Sequence, residues 1–119
     1  MIKPGGILVA VWALMKAALT AWQGRIAPVF DVAGTALIFE PDNSGGLREE
    51  SVSLPEGSPH SKLAFLKDRK IDVLICGAMT RRVQEQAEAL GIRVNPFVSG
   101  EIRDVWEAWQ NGGLEQACY

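Results

Sequence analysis

The segment from Ile71 to Arg82, with the sequence IDVLICGAMTRR, constrains the fold more than any other part of this chain. Its apolar run ends at Cys76 and is typical of a strand that is buried on both faces of a sheet. Gly77 follows, and a helical pattern begins near Thr80. The segment therefore predicts a strand, a small-residue turn and a helix, as in an α/β domain.

The turn between this strand and this helix is a candidate binding site. The first N–H groups of a helix have no partner within the helix, and the helix dipole favours an anion there. Arg81 and Arg82 add positive charge, and the Cys76 thiol stands at the mouth of the turn. We expect a metal–sulfur or oxyanion ligand in preference to a plain phosphate. The alternative is a plain strand connection in which Cys76 is a small buried apolar residue.

The length and the net charge of the chain limit the number of domains and the kinds of partner that it can have. A chain of 119 residues predicts one domain, and a formal net charge of −2 argues against nucleic-acid binding as its main role. Cys76 and Cys118 are far apart and form no disulfide framework, which indicates reduced thiols in a cytoplasmic protein.

The N-terminal apolar run from Ile7 to Met15 is too short to span a membrane. It has the length of a signal-peptide apolar region, but Lys16 interrupts it, and cleavage after it would remove the segment from Ala17 to Trp22. That segment predicts the first strand, with the run from Ile7 to Trp12 as the alternative. We expect no membrane partner, and we predict an extension over residues 1–14, a single domain over residues 15–114 and a tail over residues 115–119.

The order of elements is β-β-β-α-β-α-β-α, which predicts a mixed five-stranded sheet flanked by helices. The first three strands are expected to be antiparallel neighbours, and the later β-α-β units to be parallel with right-handed crossovers. The stretch from Ile26 to Phe30 contains Pro28 and predicts a loop. The predicted strands are Lys16–Trp22, Val32–Glu40, Leu47–Leu54, Ile71–Cys76 and Ile92–Phe97. The helices are predicted to begin at Ser58 or Ser61, at Met79 or Thr80, and at Ser99 or Gly100.

Several blocks of the sequence occur in an order that resembles a known family. They include GRIAPVFDVA from Gly24 to Ala33, IDVLICGA from Ile71 to Ala78, and Val98-Ser99-Gly100 before the last helix. From about residue 16 to about residue 114 the chain resembles the dinitrogenase iron–molybdenum cofactor biosynthesis family, which includes NifX, NafY and the C-terminal part of NifB. The resemblance implies a ribonuclease H-like α/β fold and a small carrier of metal–sulfur clusters. Some relatives, such as the orange protein of sulfate reducers, look like holders of a molybdenum–copper sulfide cluster.

This resemblance implies a non-enzymatic protein that holds an anionic molybdenum-containing cluster, with iron or copper as the second metal. The cluster would be held mainly without covalent bonds, by cations and N–H donors beside an apolar wall. A protein that donates or accepts the cluster is a possible partner. The residues expected around the cluster are Arg25, His60, Gly77, Ala78, Met79, Thr80, Arg81 and Arg82, with Cys76 as a metal ligand.

Plainer roles remain for several of these residues. Arg25 can be a solvated turn residue, His60 a surface residue near a helix start, and Met79 a packed core residue. Phe30 and Phe97 are expected in the core or in a pocket wall, and Trp106 and Trp109 in the core.

Two other functions remain as alternatives to the carrier. One is a regulatory module that binds a protein and no cofactor. The other is a metal-dependent nuclease, which needs several converging carboxylates, and in or beside the core strands the sequence offers Asp31 and Asp72.

Overall fold

The strand predicted at Ile71 to Cys76 lies inside a mixed sheet. The computed structural model describes residues 15–42 and 46–110 of the chain. Within those residues there are six strands, three α-helices and one short 3-10 helix. The strands are β1 (Ala17–Trp22), β2 (Arg25–Ile26), β3 (Thr35–Pro41), β4 (Leu47–Ser53), β5 (Val73–Ile75) and β6 (Arg93–Asn95). The helices are α1 (Pro59–Asp68), α2 (Arg81–Ala89) and α3 (Ile102–Gln110), and the 3-10 helix is Phe30–Val32.

β1 lies at the middle of the sheet, whose order is β4-β3-β1-β5-β6, and β2 pairs with the end of β1. β3 is antiparallel to both β1 and β4, and Leu19 of β1 stands opposite Leu37 of β3. β1, β5 and β6 are parallel, and Ile75 of β5 is paired with Asn95 of β6. These pairings confirm the antiparallel neighbours and the parallel β-α-β units that the order of elements predicts.

The prediction of five strands is wrong by one, because Arg25 and Ile26 form β2 where the sequence predicts a turn followed by a loop. A tight turn folds the chain back onto β1 at Gln23 and Gly24, whose φ angles are 53° and 79°. Ile26 is also held by a contact from far along the chain, since its N–H donates to the Gly100 carbonyl at 2.9 Å. Local sequence patterns cannot predict a contact between residues so far apart in the chain.

Both faces of the sheet are covered by helices. α1 and α2 pack on one face, and α3 packs on the other. Side chains of β5 and of Cys76, the next residue, alternate between the two layers, with Leu74 and Cys76 toward α1 and α2, and Val73 and Ile75 toward α3. All four are fully buried. The prediction of an interior strand with both faces covered is therefore confirmed.

α1 and α2 begin at side chains that accept a hydrogen bond from one of their first N–H groups. Ser58 caps α1, and Thr80 caps α2 by accepting a hydrogen bond from the Val83 N–H at 3.2 Å. Each is one of the two start positions predicted for its helix.

α3 begins at Ile102, after the start predicted at Ser99 or Gly100, and the Ile102 N–H donates to the Gly24 carbonyl at 3.0 Å. On α3, Trp106 and Trp109 are buried, as predicted.

Some predictions concern residues that the structure does not describe. The extension over residues 1–14 and the tail over residues 115–119 lie outside them, and the single domain over residues 15–114 stays a prediction. The strand predicted from Ile92 to Phe97 is shorter, because β6 ends at Asn95 and Phe97 has a φ of 63°. No helix in the described ranges is long and apolar enough to cross a membrane.

Candidate functional site

The ends of four strands and the starts of three helices lie at one edge of the sheet. β1, β5 and β6 are parallel, and β4 runs in the same direction because it is antiparallel to β3, which is antiparallel to β1. Each of the helices α1, α2 and α3 follows one of these strands and so begins at the edge where they end. We call it the carboxyl edge. Ligands of open α/β sheets bind at such an edge, where the positive ends of helix dipoles also lie.

Three loops at the carboxyl edge are joined by backbone hydrogen bonds. The Ala78 N–H donates to the Pro28 carbonyl at 2.7 Å, and the Phe30 N–H donates back to the Ala78 carbonyl at 2.9 Å. On the other side, the Phe97 N–H donates to the Gly77 carbonyl at 2.8 Å. The turn predicted to face an anion is thus flanked by two other loops, and its Ala78 N–H already has a protein partner.

Gly77 lies beneath one of these loops. It is buried, and a Cβ atom added to it would stand 2.3 Å from the Pro28 carbonyl oxygen and 2.4 Å from that of Ala27. Atoms of a real side chain do not approach so closely, so the loop can lie here only over a glycine. In this fold Gly77 serves the close packing of two backbones.

Cys76 and Met79 lie in the apolar layer between the sheet and the helices α1 and α2. Cys76 is a free thiol and is fully buried, and burial raises its pKa to about 12, since the thiolate would lose its hydration. The thiol is therefore neutral near pH 7, and its predicted role as a metal ligand stays a prediction. Met79 is 5% exposed, which matches the packing role left open for it.

Arg25, Arg81 and Arg82 are exposed at the carboxyl edge, on β2 and at the start of α2. In the described part of the chain their side chains have no hydrogen bond or ion pair. The other described arginines all have a partner: Arg48, Arg69, Arg93 and Arg103. The guanidinium groups that are free to bind an external anion are thus the three predicted to do so.

The remaining predicted residues lie around the same edge. Thr80 is exposed and its hydroxyl caps α2, while Ala78 is half-buried. His60 is exposed in the first turn of α1, which begins at this edge. The described residues hold no group of three or more histidine, cysteine or acidic side chains that could bind a metal ion.

An apolar surface at this edge is not predicted by the sequence patterns. Trp22, Val29, Val32 and Phe97 are exposed large apolar residues, although Phe97 was expected in the core or in a pocket wall. A groove of about 220 Å³ lies among three of them and is lined also by Pro28. The available signal was the apolar composition of residues 26–33, a segment in which Pro28 argues against a buried strand. Phe30, by contrast, is fully buried, as expected.

Comparisons with known proteins place this geometry among related folds. The model of the family described as dinitrogenase iron–molybdenum cofactor matches residues 14–112. The solved structure of PH0822 is 26% identical, with a TM-score of 0.73, and the match covers 82% of this chain and 92% of that one. No curated protein matches the chain.

Two further solved structures share the fold at lower identity. The apo form of the orange protein from Desulfovibrio gigas is 20% identical with a TM-score of 0.71, and the match covers 84% of this chain and 90% of that one. A putative NifB protein from Thermotoga is 19% identical with a TM-score of 0.59, and the match covers 83% of this chain and 90% of that one.

Proposed function

The chain belongs to the dinitrogenase iron–molybdenum cofactor family, and from that premise we propose that it is a non-enzymatic carrier of an anionic molybdenum-containing metal–sulfide cluster. The cluster is the cargo, and it binds at the carboxyl edge. Its second metal is iron or copper, as the resemblance to NifX-like proteins and to the orange protein implies. The ribonuclease H-like fold is part of the same proposal, and the mixed sheet with helices on both faces supports it.

The observation that carries the proposal is a set of three arginines that have no partner among the described side chains. The chain has a formal net charge of −2, so a polyanion binds only where positive charge is concentrated. Arg25, Arg81 and Arg82 supply that charge at one edge, whereas the other described arginines are engaged elsewhere. Hydrogen bonds from guanidinium groups to an anion are among the stronger ones in proteins.

The start of α2 adds to this attraction. Arg81 and Arg82 stand in its first turn, where a cation opposes the helix dipole and does not stabilise the helix. An anion at the same place interacts favourably with both the dipole and the guanidinium groups. The pair of arginines therefore fits a ligand better than it fits helix stability.

In this proposal the predicted residues have two different roles. Arg25, Arg81, Arg82 and His60 are exposed and contact the cluster, with the Thr80 hydroxyl beside them. A second set of residues shapes the floor beneath the cluster, consisting of Cys76, Gly77, Ala78 and Met79. The cluster is held by charge-assisted hydrogen bonds and brings its own sulfides, so it needs no set of metal ligands from the chain.

The nuclease alternative is disfavoured by where its two carboxylates lie. Asp72 precedes β5 and accepts a hydrogen bond from the Lys16 N–H at 2.9 Å, at the edge where the parallel strands begin. Asp31 lies in the 3-10 helix before β3, at the carboxyl edge. Strands of the sheet separate the two groups, whereas a two-metal site needs carboxylates that converge within a few ångströms.

Metal analysis of the protein purified from its native source, without chelators, tests the proposal. We expect molybdenum together with iron or copper, and a visible absorption band that is lost when the cluster is released by acid. Protein that carries neither metal nor band, and gains neither on incubation with molybdate, sulfide and iron or copper salts, would contradict the carrier function.

A further inference from the structure

The exposed apolar residues of this chain are concentrated at one place. Among the described residues five large apolar side chains are exposed, and four of them lie at the carboxyl edge: Trp22 (55% exposed), Val29 (40%), Val32 (80%) and Phe97 (62%). We call these four residues the apolar rim. Single exposed apolar residues are ordinary on protein surfaces, but a group of them on adjoining loops is typical of an interaction site.

The backbone holds the apolar rim together. Val29 forms a parallel bridge with Ala78, and Gly77, the residue before Ala78, accepts a hydrogen bond from the Phe97 N–H at 2.8 Å. Phe97 has a φ of 63°, in the left-handed region that bulky residues seldom adopt. Such a conformation persists where the surroundings fix it, and it is found disproportionately at functional sites. The exposure of the rim is thus built into hydrogen-bonded loops.

Three of the four rim residues line a groove large enough for a side chain. The groove of about 220 Å³ is lined by Trp22, Val29 and Val32 together with Ala27, Pro28 and other small residues of the same loops. Apolar pockets of this kind receive the anchor residues that dominate binding energy in protein interfaces. An occupant that matches it carries at least one large apolar side chain.

The charges beside the rim indicate the remaining chemistry of the occupant. Arg25 is paired with Trp22 across the hairpin, and Arg81 and Arg82 begin α2 shortly after Ala78. Acidic residues lie at this edge as well, among them Asp31, Glu56 and Glu101, but in the described part of the chain none of them forms an ion pair with these three arginines. A second copy of the chain would bring arginines against arginines, whereas acidic side chains would complement them.

We propose that the apolar rim is the docking surface of a protein partner that inserts an apolar side chain into the groove and places carboxylates against Arg25, Arg81 and Arg82. This docking proposal rests on the proposed function in one respect, namely that the partner is the protein that donates or accepts the cluster. The same arginines then exchange one anion for another as the partner arrives, which makes docking and release of the cluster two parts of one event.

The test is a titration of the cluster-free full chain with three synthetic peptides, followed by ¹H–¹⁵N NMR. One peptide has leucine and tryptophan at its centre and glutamates on both sides, the second replaces the glutamates by lysines, and the third replaces the apolar residues by serine and glycine. We expect binding of the first peptide alone, with shifts at the Trp22 indole N–H and at the amides of Val29 and Phe97.

Variants of exposed residues locate the contact. Val29→Ser/Val32→Ser and Arg81→Ala/Arg82→Ala should each weaken binding of the first peptide roughly tenfold. Leu47→Ser is the matched control, because Leu47 is the fifth exposed apolar residue and begins β4 at the opposite edge. Its binding should equal that of the wild type, and circular dichroism should show that every variant is folded.

Four results would overturn the proposal: no binding by any peptide, equal binding of the lysine or the serine–glycine peptide, equal loss in Leu47→Ser, or a wild-type dimer that Val29→Ser/Val32→Ser dissociates in sedimentation experiments. Because the titration uses no cluster, its failure is separate from a failure of cluster binding, which metal analysis reports.

Discussion

Gly77 and Pro28 approach each other so closely that a Cβ atom on residue 77 would lie 2.3 Å from the Pro28 carbonyl oxygen. The contact joins the turn after β5 to the loop after β2, and the Ala78 N–H bond to the same carbonyl, at 2.7 Å, fixes it. The floor of the candidate site is therefore made by two segments that are 49 residues apart in the sequence.

Gly77→Ala should lower the free energy of unfolding by about 1–3 kcal/mol, because the added methyl group forces the two backbones apart. Gly34→Ala is the matched control, since nothing lies within 4 Å of a Cβ atom there, and it should change stability by less than about 0.5 kcal/mol. Urea unfolding followed by circular dichroism measures both. Equal stability of the two variants would mean that the loops do not pack as described.

The Cys76 thiol should be protected in the folded protein. It is fully buried and burial raises its pKa to about 12, so the reactive thiolate is scarce near neutral pH. In a Cys118→Ser background, where Cys76 is the remaining cysteine, a thiol reagent should react slowly with folded protein and rapidly in denaturant. Rapid reaction under native conditions would show an open thiol and would favour its role as a direct metal ligand.

The same burial predicts a loss of stability at high pH. The unfolded thiol ionises near 9.0 and the folded one near 12, so between these values the unfolded state gives up a proton that the folded state keeps. The stability is full below about pH 9 and falls above it by about 1.4 kcal/mol per pH unit. Between about pH 8 and about pH 10 the wild type should lose about 1.4 kcal/mol more than Cys76→Ala in urea unfolding. Parallel losses in the two proteins would show that the thiol is not buried in this way.

Thr80 is both a predicted site residue and the cap of α2, and substitution separates the two roles. Thr80→Ala should lower the free energy of unfolding by about 1 kcal/mol, because the Val83 N–H loses its acceptor, and Thr80→Ser should retain most of it. Urea unfolding of both variants provides the measurement. If Thr80→Ala is as stable as the wild type but retains less cluster, the hydroxyl serves the ligand and not the helix.

The fold could be predicted to the extent that it depends on local patterns. The apolar run from Ile71 to Cys76 identified the interior strand, the order of elements predicted the strand neighbours, and the cap residues Ser58 and Thr80 identified two of the three helix starts. β2 was missed because Ile26 is held by Gly100, and Phe97 was expected in the core or in a pocket wall because its left-handed conformation depends on its bond to Gly77. Both features arise from contacts between distant segments.

For the site, the residue types were predicted and their surroundings were not. Arginines after a strand and at a helix start favour an anion site by their position, and that assignment stays a prediction. The structure adds that Arg25, Arg81 and Arg82 lie at one edge and have no hydrogen bond or ion pair with another described side chain. The cover over Gly77 could not be foreseen, because the residues responsible come from the loop after β2. The burial of Cys76 is the alternative that the sequence left open.

The central claim, that three unpaired arginines hold a cluster anion, is tested most directly by cluster retention. Protein reconstituted with molybdate, sulfide and iron or copper salts is passed through a desalting column at low ionic strength, and bound molybdenum is measured as a function of protein concentration. Arg25→Ala, Arg81→Ala and Arg82→Ala are compared with the wild type and with the control Arg48→Ala. The Arg48 side chain of the wild type lies 4.0 Å from Glu40.

The variants at Arg25, Arg81 and Arg82 should each bind the cluster roughly tenfold to a hundredfold more weakly, since a hydrogen bond to a charged group contributes about 1.5–3 kcal/mol. Arg48→Ala should match the wild type. If the three folded variants retain the cluster as the wild type does, or if Arg48→Ala loses as much, the carboxyl edge is not the binding site.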